Sequence, residues 1–194
     1  QARALLTRAG QIGHERGAPL AFDEDQLAFL RDERDYVNVT LVELPRGDFA
    51  FTTLRNAFVA TLMKLLWQRL QDSSDSELAA IAGKAVKEAR YHQQHAGDWV
   101  VRLGDGTEES RRRMQEALAT LWPYTNELFE LDAVDEQAHS SGLGPRWAEL
   151  AEMWRDVQND PAALKTFIND RLAEMGNEMI ADAVNNIEPN GGDG

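Results

Sequence analysis

Residues 49–70, "FAFTTLRNAFVATLMKLLWQRL", are apolar around most of a helical circumference, and no other stretch constrains the fold as much. Leu54, Phe58, Leu62, Leu65 and Leu66 fall along one side at helical spacing. Val59, Met63, Trp67 and Leu70 occupy much of another. A helix with so little polar face belongs in the middle of a bundle. Lys64 breaks the run, and no apolar stretch reaches the ~20 residues that a membrane span needs.

The flanking segments supply further helices. Residues 1–17 read as the tail of a helix ended by Gly17 and Pro19. Residues 24–44 combine a helical half, within "DEDQLAFLRDERDY", with the alternating "VNVTLVEL". Helix is the expectation, because no second strand-like run exists to pair with the alternating half. Pro45 and Gly47 stop it. "SDSE", residues 74–77, predicts a capping box with Ser74 as cap and Glu77 reaching back. The helix it opens should run to about Leu103 and end at Gly104-Asp105-Gly106. Thr107 caps the next, with Glu108 and Glu109 in its first turn and Pro123 bending it. "SSGLGP", residues 140–145, is a loop, and a short amphipathic helix follows from Trp147. Asp160-Pro161 opens a last helix with its stripe at Leu164, Phe167, Ile168, Leu172, Met175 and Met179. The fold class is therefore all-α, a helical bundle with short connections.

Composition removes several classes of function. The chain has no cysteine, which excludes disulfides, thiolate nucleophiles, zinc fingers and iron–sulfur clusters, and fits a cytoplasmic protein. A net charge of −13 argues against a phosphate-backbone partner, so no nucleic acid is expected. Arg111-Arg112-Arg113 follows Glu108 and Glu109, which reads as a solvated face with intrahelical pairing. No signal-peptide pattern is present, and Gln at position 1 predicts that the natural beginning is missing.

The stretch "KEARYHQQH", residues 87–95, raises the question of a metal. With Glu88 at zero on a helical wheel, His92 falls near about 40°, His95 near about −20° and Trp99 near about 20°, all on one face. A carboxylate-bridged two-metal centre in a bundle needs a Glu from each of two helices and Glu-x-x-His from each of the other two. Three residues before His14, His92 and His95 stand Gln11, Ala89 and His92. Only His139 has a Glu at that spacing, Glu136, beside the polar loop. The central helix offers Phe, Val, Ala, Leu and Met where hard cations need oxygen and imidazole. The plainer reading of Glu88, His92 and His95 is a partly buried polar network.

The phrases "RDER", "VELPRGDFA", "KEARYH", "RLGDGTEES" and "LWPYTNELF" are long, ordered and consistently spaced. Over about residues 1–155 the chain resembles the C subunits of bacterial phenylacetyl-CoA oxygenase (epoxidase) complexes. The resemblance implies a ferritin-like bundle, incomplete at both ends relative to the family. It implies a non-catalytic structural subunit, not itself an enzyme, that supports a di-iron catalytic A subunit in phenylacetate degradation. No cofactor is then expected in this chain, and the di-iron centre is expected in the partner. Members of the family carry an Asp-x-x-His remnant on the central helix, where this chain has Ala60 and Met63. Glu88 and His92 match the family pattern, and Tyr91 stands where a catalytic subunit has histidine. The family's "HTEH"-type C-terminal segment is absent, and "DPAALKTFINDRLAE" is instead similar to a short phage terminase segment.

The expected organisation is a ferritin-like domain over 1–158, an added helix over 159–188 and a flexible tail over 189–194. The partner expected is the catalytic A subunit, with self-association as a second expectation; tryptophans and the Met-containing last helix are candidate anchors. Two other functions compete. One is a divergent metal-dependent oxidase with a reduced metal site around Glu88 and His92, extended by Glu136 and His139. The other is a helical interaction module of a chimeric or mobile-element gene.

Overall fold

A computed structural model describes residues 2–17, 22–30, 32–130 and 132–152. The expected last helix and tail, and the domain boundary at 158, lie outside the described residues. Within them the chain is helical and no strand occurs. It is an all-α bundle of the ferritin-like type.

The centre is a hairpin of two long helices, α4 (Phe49–Leu70) and α5 (Ser76–Gly104). Phe49 meets Trp99, Thr61 meets Gln93, and Trp67 clusters with Ala85, a descending series that makes the pair antiparallel. Their close approach follows from small residues. Ala82 and Ala85 are fully buried, and Ala89, Ala96 and Gly97 are buried along the same stripe of α5. Asp48 caps α4 by accepting from Phe51 N–H at 2.9 Å.

Helix α6 (Glu108–Leu121) lays Met114, Ala117, Leu118 and Leu121 on the hairpin. Thr107 caps it as the sequence predicts, accepting from Ser110 N–H at 3.2 Å. At Pro123 the chain tightens into a 3₁₀ helix, Trp122–Phe129, which turns Trp122 edge-on to Phe58 at 6.1 Å. These side chains, with Leu41, Leu54, Val100 and Leu150, form the main core. Burying Leu41, Leu121 or Leu150 completely stabilises the fold by about 1.5–3 kcal/mol each. Arg112 pairs with Glu109 and Glu116, and Arg113 with Glu109 and Asp48, so the basic cluster is the paired face expected of it.

Two expectations are corrected. The cap of α5 is Asp75 rather than Ser74: Asp75 Oδ1 accepts from Leu78 N–H at 2.8 Å. Ser74 instead receives the 140–145 loop, donating its N–H to the Gly142 carbonyl at 2.8 Å. Gly142 has φ +72, and a Cβ there would lie 2.9 Å from Ser74 Oγ. The segment 24–44 is not one helix. It breaks into α2 (Glu24–Phe29), a 3₁₀ turn (Glu33–Asp35) and α3 (Thr40–Glu43). Asp23 caps α2 through Gln26 N–H, and Val37, Asn38 and Val39 lie outside any helix, with Val39 in extended backbone. A short helix α7 (Ala133–Ser140) forms after Asp132, where the sequence looks irregular. At the N-terminus, α1 (Ala2–Glu15) is tied to α5 by Arg8 donating to the Asp75 carboxylate.

Candidate functional site

The docking of α1 on the hairpin shapes a groove. Asn56, Val59, Ala60, Met63 and Trp67 form the α4 wall. Ala85, Glu88, Ala89, His92, His95 and Ala96 form the α5 wall, and Ala2 and Leu5 of α1 close one end. The cavity is about 520 Å³. The structure thus brings together Ala60, Met63, Glu88, His92 and His95, the five positions that the sequence singles out. Val59 and Met63, on the second apolar side of α4, are half-buried and face this groove.

The polar side chains of the groove are not the partly buried network expected of them. Glu88 and His92 have side chains 56% and 59% exposed, and their nearest atoms, Oε1 and Nε2, stand 3.7 Å apart. That separation is too long for a hydrogen bond and suits an ion pair only when the imidazole is protonated. His95 is exposed, and its ring lies parallel to that of Tyr91 at 6.1 Å. Tyr91 is itself 64% exposed and meets His92 edge-on at 5.8 Å. Trp99 shares their helix face but belongs to another cluster. It packs edge-on against Phe49 at 5.1 Å, with the Arg102 guanidinium over its ring at 5.3 Å.

The buried polar contact is one residue along. Gln93 Nε2 donates to Thr61 Oγ1 at 3.1 Å, and both residues are buried between α4 and α5. The sequence does carry a signal for it: Gln93 continues the stripe Ala82, Val86, Ala89, Ala96 and Val100, on the side of α5 that meets α4.

A two-metal centre can be tested against these walls. Ala60 and Met63 offer a methyl group and a thioether, which hard cations do not select. Glu136 and His139 are exposed on α7 and do not line the groove. Among the described residues no group of three or more His, Asp or Glu is placed to hold a metal ion. The described donor set does not fit a carboxylate-bridged pair. No helix among the described residues is long and apolar enough to cross a membrane.

Arginines set the state of two carboxyls at helix starts. The Arg8 guanidinium holds the Asp75 carboxyl below the usual carboxylate range. Arg112, then Arg113, hold the Glu109 carboxyl down to about 2.

Comparison with known proteins gives these features a setting. The family model described as phenylacetic acid catabolic protein matches residues 1–166. The chain is 42% identical over 154 residues to the C subunit of 1,2-phenylacetyl-CoA epoxidase from Escherichia coli (strain K12). That alignment covers 79% of this chain and 60% of the relative, so the chain spans less than two thirds of the relative's length. The relative's name corrects one expectation, that a chain of this kind stands outside the enzymes: its relative is a subunit of an epoxidase, a component of an enzyme. With the family model matching residues 1–166 of the 194 and this relative beside it, the chain belongs to the phenylacetic acid catabolic protein family.

Proposed function

We propose that this chain acts in phenylacetate catabolism as the C-type subunit of a multicomponent phenylacetyl-CoA epoxidase. Its partner in this reading is the catalytic A subunit. The di-iron centre and the oxygen chemistry reside in that partner. The chain's contribution to the enzyme is structural: its hairpin bundle holds the A subunit in its working form. The cysteine-free composition suits a cytoplasmic location.

The observation that carries the proposal is the 42% identity to the C subunit of an epoxidase over 154 residues. The donor-poor walls of the α4–α5 groove support placing the metal in the partner.

Co-production with a phenylacetyl-CoA epoxidase A subunit tests it. The two chains are expected to co-purify at fixed stoichiometry through size exclusion. With the reductase component added, epoxidation of phenylacetyl-CoA should depend on both. Failure to co-purify, together with full activity of the A subunit alone, would sink the proposal.

A further inference from the structure

The segment from Phe22 to Glu43 keeps most of its apolar side chains outside the protein. Of the nine large hydrophobic residues exposed among the described residues, six lie here: Phe22, Phe29, Leu30, Tyr36, Val37 and Val42. Phe29 and Leu30 are 75% and 74% exposed, and Val37 is 91% exposed. Single exposed hydrophobics are ordinary, but six within 21 residues are a surface that something covers.

Local hydrogen bonds fix this strap. Asp23 and Gln26 form a reciprocal cap, and Asp32 N–H donates to the Asp35 carboxylate at 3.2 Å. Arg3 of α1 binds Glu24 and Asp25, each at 3.2 Å. Tyr36 Oη donates to the Ala28 carbonyl, and Thr40 N–H donates to the Glu127 carboxylate at 2.8 Å. The strap enters the core at Leu41, with Val39 packed against it. Polar groups therefore hold the apolar ones outward, which removes much of the ordering cost of an interface before any partner arrives.

Charge selects the occupant. Residues 22–43 carry seven carboxylates, Asp23, Glu24, Asp25, Asp32, Glu33, Asp35 and Glu43, against two arginines, a net of −5. Residues 153–194 carry eight carboxylates against three cations, also −5, and a second copy brings −13. Both would set like charge against like, which costs affinity at an interface.

We infer that the strap at residues 22–43 is a docking surface for a different protein, one that offers an apolar patch ringed by lysine and arginine. Resting on the function proposed above, that protein is the partner subunit of the epoxidase. Phe29, Leu30 and Val37 are its apolar contacts, and the surrounding carboxylates steer and orient it.

The test uses the full chain co-produced with the A subunit. A photo-cross-linking amino acid in place of Val37 is expected to capture the A subunit. The double variant Phe29→Ser/Val37→Ser is expected to keep its helical circular dichroism and melting point while weakening the complex by about tenfold or more. Raising salt from about 50 to about 500 mM should weaken the wild-type complex by a similar factor. If the cross-linker captures residues 153–194 or a second copy instead, the inference is overturned. It is also overturned if the double variant binds as tightly as wild type, while the proposed function then stands. If the wild-type chain does not bind the A subunit at all, the proposed function falls and takes the inference with it.

Discussion

Gln93 and Thr61 form a buried hydrogen bond that joins the two central helices. Gln93 Nε2 lies 3.1 Å from Thr61 Oγ1, and Thr61 Oγ1 donates onward to the Ala57 carbonyl at 2.7 Å. The two residues are 5% and 1% exposed. Removing one partner leaves polar atoms buried with a bond unmade, which costs more than removing both. Thr61→Val is therefore expected to destabilise the protein by about 1–3 kcal/mol. The double variant Thr61→Val/Gln93→Leu should lie closer to wild type than the two single losses sum to, with a coupling of about 0.5–3 kcal/mol. Urea denaturation of the four proteins measures this, and strictly additive losses would show that the bond couples nothing.

Asp75 does two jobs at one helix end, and the tie to Arg8 depends on its charge. Its carboxylate caps α5 through Leu78 N–H and accepts from the Arg8 guanidinium of α1. The Arg8 hydrogen bond is the main cause of its lowered pKa. A carboxyl lowered in the folded state contributes stability that is present above the unfolded value and lost as pH falls through the folded one. Stability from this joint should thus hold at neutral pH and fade below about pH 4. Asp75→Asn is expected to flatten that part of a melting-temperature profile taken between about pH 7 and about pH 2.5. Asp75→Ala should also cost about 0.5–2 kcal/mol at neutral pH through the lost cap. An unchanged acid limb in Asp75→Asn would assign it to other carboxylates.

The central helices are legible in the sequence because several signals agree. Apolar residues at helical spacing, the stop at Pro45 and Gly47, a capping threonine at 107 and glycines at 104 and 106 mark the boundaries that the structure shows. The strap departs from the single helix expected of it because its cues conflict. Its charged half has helical composition, but Asp23 and Asp32 each bind nearby backbone or side-chain groups and divide it. No periodicity distinguishes a helix that packs from one that is cut short. At the groove, spacing alone correctly places Glu88, His92 and His95 on one face, and the structure sets Ala60 and Met63 on the opposite wall. What spacing leaves open is depth. A helix wheel gives direction, not burial, so the solvent-facing pair Glu88 and His92 draws notice while the neighbouring Gln93 carries the buried bond.

Glu127 links the strap to the core's far end. Its two carboxylate oxygens accept from Thr40 N–H at 3.0 and 2.8 Å, across a sequence separation of 87. The residue is half-buried and lies outside the core cluster, so its removal should leave the core intact. Glu127→Ala is expected to ease local opening of residues 36–43 by about 0.5–1.5 kcal/mol, with little change in the global melt. Amide hydrogen exchange at Thr40 reads the effect directly. Equal loss of protection throughout α4 and α5 would mean that the strap and the hairpin open as one unit.

The two walls of the groove differ in what they offer a metal, and that difference can be reversed. Glu88 and His92 supply a carboxylate and an imidazole from α5, while Ala60 and Met63 supply neither from α4. The double variant Ala60→Asp/Met63→His adds both donor types to the opposite wall. Without metal it should be less stable than wild type by about 1–3 kcal/mol, because Ala60 is 9% exposed and a carboxylate there loses hydration. Cobalt(II) is expected to return that stability, since a ligand that binds only the folded state raises the melting temperature with its concentration. Wild type, titrated in parallel, should melt at the same temperature with and without the ion. Adding Glu88→Ala to the double variant should abolish the response, because the carboxylate on α5 is then gone. A wild-type chain that itself gains several degrees with equimolar cobalt would mean that donors beyond these four positions converge on the groove, and the assignment of the metal to the partner would fall.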